Sequence, residues 1–150
     1  MLADGETWFL LADGRKARVL VELRRGGDLK ERHDWAMSIA DEDLYDPQDR
    51  PPRSVDRAGA GRHAMDKGRN LHEAEEQKFL KRVAERLGDA ARHNAFDHLV
   101  LAAPPRALGA LREELSEAVR GRVRAEIVKD IVEEDDAQLR ARLSETLRYH

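Results

Sequence analysis

A chain of 150 residues has the size of one ordinary domain and can bury one contiguous core, so a single domain spanning 1–150 is expected. Its formal net charge of −3 gives no overall attraction to nucleic acid or to an anionic membrane, which leaves any such contact to a local patch. The absence of cysteine excludes disulfides, thiolate chemistry and cysteine-ligated zinc.

Met1 to Glu6 carries neither a basic leader nor an apolar run of signal-peptide length, and no stretch approaches membrane-spanning length. A cytoplasmic protein without membrane insertion is the expectation. Thr7 to Ala12 is a short apolar run closed by Asp13-Gly14, and Ala17 to Leu23 follows with β-branched residues in partial alternation. An Asp-Gly between two such runs predicts a β-hairpin. A break at Gly26-Gly27 precedes a further expected strand around Asp34 to Ile39, so the chain opens as a β-meander.

From residue 41 to residue 69 the periodicity disappears. Pro47, Pro51, Pro52, Gly59, Gly61 and Gly68 punctuate a polar stretch, which predicts a long flexible loop at about 41–69. Asn70 offers an N-cap with Glu73 three residues on, a variant of the capping box. Leu71, Ala74, Phe79, Leu80, Val83, Ala84, Leu87 and Ala91 then recur at helical spacing, predicting a long amphipathic helix from about Leu71 toward Arg92.

Phe96 to Ala103 contains a continuous apolar run suited to a strand buried on both faces, and Pro104-Pro105 stops it. Leu108, Leu111, Leu115 and Val119 mark a helix, Val123 to Ile131 a strand, and Ala137 to Leu147 a last helix. Strand, helix, strand and helix in succession imply a βαβ crossover with parallel pairing. The fold class expected is therefore α/β: an N-terminal β-meander and a C-terminal βαβ in one mixed sheet, packed by about three helices.

Several strings together resemble the host-attachment protein family. They are Trp8-Phe9-Leu10-Leu11-Ala12-Asp13-Gly14 with Ala17-Arg18-Val19, Phe96-Asp97-His98-Leu99-Val100-Leu101-Ala102-Ala103-Pro104-Pro105, Leu108-Gly109-Ala110-Leu111-Arg112, and Lys129-Asp130-Ile131. That family is in turn similar to bacterial relatives of archaeo-eukaryotic release factors and of the ribosome-rescue protein Pelota. The resemblance implies a release-factor middle-domain-like, RNase H-like fold. It also implies that the long loop corresponds to the one carrying Gly-Gly-Gln in release factors, which assists peptidyl-tRNA hydrolysis. Here that loop reads Arg57-Ala58-Gly59-Ala60-Gly61-Arg62-His63-Ala64-Met65-Asp66, with two glycines and no glutamine after them. The fold carries over better than the hydrolase activity.

The loop also has chemistry of its own. Arg50 to Arg69 holds six basic residues against two acidic ones in an otherwise acidic chain. Glycines permit close backbone approach and guanidinium groups recognise phosphates with paired hydrogen bonds, so Arg57, Gly59, Gly61, Arg62, His63, Lys67 and Arg69 are the candidate contacts to RNA or a partner. A solvated connector is the plainer alternative. His63 is the one catalytic candidate, because an imidazole titrates near neutrality and it lies close to where the relatives carry glutamine; no partner for it can be named from sequence.

No two histidines stand at i, i+4, and no metal or cofactor is expected. Asp13, Asp97 and Asp130 lie near strand ends and would have to converge to hold magnesium, whereas turn chemistry is the simpler reading. Pro104-Pro105-Arg106 suits either an anion site at a helix start or a fixed strand-to-helix turn, the plainer role. Trp8, Phe9, Phe79 and Phe96 read as core rather than as a base-stacking platform. Three readings follow: a release-factor-like module binding RNA or a ribosome-associated partner with little or no hydrolysis, a peptidyl-tRNA or ester hydrolase using the same loop, and a protein-interaction domain.

Overall fold

The computed structural model describes residues 5–22, 29–39 and 62–148, the side chains of 62–70 and 144–148 excepted. Thr7–Ala12 (β1) and Lys16–Glu22 (β2) form the expected antiparallel hairpin, in register from Thr7 opposite Glu22 to Ala12 opposite Ala17. Asp13 makes the turn: the amides of Arg15 and Lys16 both donate to its Oδ1 at 2.7 Å. β1 also pairs in parallel with His98–Ala103 (β5), and β5 pairs in parallel with Val123–Val128 (β6).

The meander departs from expectation beyond β2. Leu29–Glu31 (β3) pairs with the far half of β2, and the expected strand at Asp34 to Ile39 shrinks to Met37–Ser38 (β4), which pairs with the near half. Between them His33–Trp35 forms a single 3₁₀ turn. The cause is Trp35, which leaves the strand path to bury itself edge-on against Trp8, with ring centroids 5.9 Å apart. The Arg86 guanidinium stacks 4.5 Å from the Trp35 ring and donates to the carbonyls of Trp35 and Asp34, bolting the turn down. The resulting sheet has six strands in the order β3-β2-β1-β5-β6, with β4 also on β2.

Strand alternation divides the core cleanly. Trp8, Leu10, Ala12, Val19, Val21, Leu99, Leu101 and Ala103 face one side, and Phe9, Leu11, Leu20, Val100, Ala102, Ala125 and Ile127 face the other. On the first side lie three helices. Arg62–Arg92 (α1) contributes Phe79, Leu80, Val83, Ala84, Leu87 and Ala91, Pro105–Glu114 (α2) contributes Ala107, Leu108 and Leu111, and Glu117–Arg120 (α3) contributes Val119. On the second side Leu139 and Leu143 of Asp136–Arg148 (α4) meet Ile131 and Val132.

Two boundaries moved for local reasons. The helix expected through Leu108 to Val119 breaks at Leu115, which is extended, and Ser116 starts α3 by accepting from the Val119 amide. β6 stops at Val128 instead of Ile131, because Ile131 and Val132 turn into the second core cluster. There the half-buried Arg18 holds the chain, donating to the carbonyls of Val132 and Glu134 (both 2.8 Å) while forking onto Glu31. That hydrogen-bonded guanidinium keeps the Glu31 carboxyl below its usual range. α4 then begins with a capping box, the Gln138 amide donating to Asp135 Oδ1 (2.8 Å) and the Asp135 amide to Gln138 Oε1 (3.2 Å).

Leu101 lies at the centre of this arrangement, 1% exposed and paired with Leu10 on one flank and Glu126 on the other. Leu101→Ala is expected to cost about 2–5 kcal/mol, since truncating a buried leucine leaves a cavity. Chemical denaturation of the two proteins measures it, and a loss below about 1 kcal/mol contradicts the central position assigned to this side chain.

Candidate nucleic-acid interface

The basic stretch divides across a structural boundary. Arg57, Gly59 and Gly61 lie outside the described residues, whereas Arg62, His63, Lys67 and Arg69 fall in the opening turns of α1. The loop expected through residue 69 therefore ends by residue 61, and Asn70 is an interior helical position rather than a cap. Arg, Ala, Met and Lys are sound helix formers, and a lone Gly68 costs only about 1 kcal/mol against them. As helical positions, 62 and 69 recur along one stripe and 63 and 67 along another.

Residues 71–78 of α1 stand outside the core. They are exposed or half-buried, Leu71 among them at 51%, and continuous burial starts at Phe79. Two contacts fix where the helix meets the rest of the fold. Arg106 at the start of α2 pairs with Glu73 at 3.1 Å. Gly14, in the β1–β2 turn, lies so near Glu76 that a Cβ there would come within 2.7 Å of its carboxyl carbon. From Arg62 to Glu76 the helix rises about 20 Å, so its basic turns extend well beyond this contact. No acidic residue occupies the first turn, where the helix macrodipole favours anions.

The other candidates resolve into structural roles. Asp97 precedes β5, whereas Asp13 and Asp130 follow β1 and β6, and all three strands run parallel. Asp97 is thus about 20 Å from the other two, the length of a six-residue strand, and β5 separates Asp13 from Asp130. The three carboxylates do not converge. Among the described residues there is no cluster of three or more metal-ligating side chains. Pro104 caps α2 and Pro105 opens it, while Arg106 is committed to Glu73. Trp8, Phe9, Phe79 and Phe96 are all buried, which removes them as a stacking platform.

Reading the sequence for concentrated charge passes over Arg120-Gly121-Arg122-Val123-Arg124 at the entry to β6. Arg122 stacks 5.7 Å from the Phe96 ring and donates to the Phe96 carbonyl (2.6 Å) and Asn94 Oδ1 (3.2 Å). Arg124 donates to the Gly121 carbonyl (2.9 Å) and to His98 Nδ1 (3.2 Å), and Arg120 to the Arg112 carbonyl (2.6 Å). The alternation of arginines within five residues was the available signal.

Among known families, the model described as bacterial archaeo-eukaryotic release factor family 12 matches this chain over residues 6–143. No curated protein matches it.

Asp97 has a visible structural duty, accepting from the Glu6 amide at 2.9 Å while its own amide donates to the Glu6 carbonyl at 2.8 Å. Asp97→Ala is expected to destabilise the fold by roughly 1 kcal/mol, and equally with or without magnesium. Thermal unfolding with and without millimolar magnesium tests this. A magnesium-dependent rise in the wild type that vanishes in the variant would restore a metal role.

Proposed function

The chain belongs to bacterial archaeo-eukaryotic release factor family 12, and from that premise we propose that it binds RNA or a ribosome-associated partner through its basic Gly/Arg segment, Arg57 to Arg69, with little or no peptidyl-tRNA hydrolysis. The observation that carries this reading is the position of the segment's second half. Arg62, His63, Lys67 and Arg69 are positions in the opening turns of α1, ahead of residues 71–78, which are exposed or half-buried, and of the core stripe that begins at Phe79. Cations at a helix amino terminus are electrostatically unfavourable, and an anionic partner relieves the conflict. The missing glutamine argues against the hydrolase reading, and the sequence names no partner that would orient His63 as a base.

Two measurements bear on the proposal. Replacing Arg57, Arg62, Lys67 and Arg69 together by Gln, which keeps helix propensity, is expected to leave thermal stability within about 0.5 kcal/mol per site. The same variant is expected to lose most of its affinity for labelled RNA, while wild-type affinity falls steeply with salt as phosphate neutralisation releases counterions. Equal binding by both proteins removes this segment from the interface. Added to ribosomes carrying peptidyl-tRNA, the wild type is expected to release peptide far more slowly than a Gly-Gly-Gln factor. Rapid release abolished by His63→Ala reverses the assignment in favour of the hydrolase.

A further inference from the structure

Several lysine and arginine side chains among the described residues are closed by carboxylates. Lys16 pairs with Glu133, Arg18 with Glu31, Arg32 with Asp34, Arg92 with Asp89, Arg106 with Glu73, Arg112 with Glu126 and Arg142 with Glu134. Arg120, Arg122 and Arg124 are held differently, three within five residues. Their hydrogen bonds go to backbone carbonyls, to the Asn94 amide oxygen and to an imidazole, none of which cancels a positive charge. No acidic residue lies between Ala118 and Ala125; the nearest along the chain are Glu117 and Glu126, and Glu126 is already held by Arg112. Across the sheet end, Asp89 is paired with Arg92, while Asp97 accepts from the Glu6 amide and keeps its negative charge, one acid against the three arginines.

These contacts also fix the guanidinium groups in place. Each offers five N–H donors in a planar fork, and Arg122 and Arg124 each direct two at protein acceptors, so donors remain for a ligand. Arg120 and Arg124 are exposed, and Arg122 is half-buried on Phe96. Charge that is positioned by neutral acceptors is suited to phosphate, which takes paired N–H bonds from arginine. We propose that Arg120, Arg122 and Arg124 form a second RNA-phosphate contact at the strand-entry end of the sheet. The proposal rests on the RNA reading above but on different residues. Arg122 reaches Asn94, just beyond the carboxyl end of α1, whereas Arg62 to Arg69 occupy its amino end. A helix of 31 residues separates the two by about 45 Å along its axis.

Arg120→Ser with Arg124→Ser tests this while leaving the Arg122–Phe96 stack intact. Binding of labelled single-stranded and hairpin RNA is measured by fluorescence anisotropy at several salt concentrations, beside wild type and the four-site Gln variant of the 57–69 segment. The double variant is expected to bind RNA more weakly and to lower the slope of log affinity against log salt by about two. Arg120→Lys with Arg124→Lys is expected to keep the wild-type slope, which a folding defect would not allow. If the double variant matches wild type while the four-site variant loses binding, the second contact is wrong and the first stands. If the reverse holds, the first is wrong and the second stands. If wild type ignores RNA but binds polyglutamate through these arginines, the partner is an acidic protein and the RNA assignment of this patch falls. Binding to neither polymer overturns it as well.

Discussion

The parallel pairing of β1 with β5 is the constraint on which the rest of the structure depends. It joins the meander to the βαβ half and makes β1 an interior strand, with Phe9, Leu10, Leu11 and Ala12 all fully buried. Parallel neighbours must enter from the same end, so the chain has to return across the sheet before β5 begins. α1 makes that return and covers the face it crosses, setting Phe79, Val83 and Leu87 against Leu10, Leu99 and Leu101. The entry end is fastened by Trp8, Trp35 and Phe96, with Trp8 and Phe96 centroids 5.0 Å apart and arginines stacked on all three rings. The opposite face is closed separately by Ile131, Val132 and α4, with Arg18 as the polar tie.

Elements built on long apolar periodicity were legible in the sequence, because burial on a sheet face imposes a period that side-chain identity records directly. The hairpin around Asp13, the buried run Leu99 to Ala103, the core stripe of α1 and the last helix all follow from that rule. The short pieces were not. β3 has three residues and β4 two, too few for a period, and Trp35 looks like a strand residue until the Trp8 ring and Arg86 give it a better position off the strand path. The start of α1 was hidden for another reason. Asn70 and Glu73 form a plausible cap, and Gly68 looks like a break, yet the propensity of the surrounding Arg, Ala, Met and Lys carries the helix through both.

The candidate site was legible as composition and less so as geometry. Counting charge finds the 50–69 stretch, but cannot tell that Arg62 onward is helical, nor where that helix leaves the core. Charge counting also misses Arg120 to Arg124, since Glu117 and Glu126 flank it and lower any windowed balance. Only the contacts distinguish an arginine closed by a carboxylate from one held by a carbonyl. The same applies to Asp13, Asp97 and Asp130, which are equivalent as strand-end acids in the sequence. Strand direction puts Asp97 at the end opposite the other two.

With thirty acidic and twenty-seven basic residues, the chain has carboxylates enough to neutralise every cation it carries. A folded chain free to minimise its own electrostatic energy would scatter the two signs and pair them, as it does at Arg18, Arg32 and Arg112. An exposed pair contributes little stability, so leaving a few arginines unpaired costs the fold little. The consequence is felt outside the molecule. Unpaired guanidinium groups project a local positive field that a net charge of −3 does not cancel within a Debye length of about 8 Å at physiological salt. Local fields of this kind, which steer association with polyanions independently of net charge, are what the two proposed RNA contacts rest on.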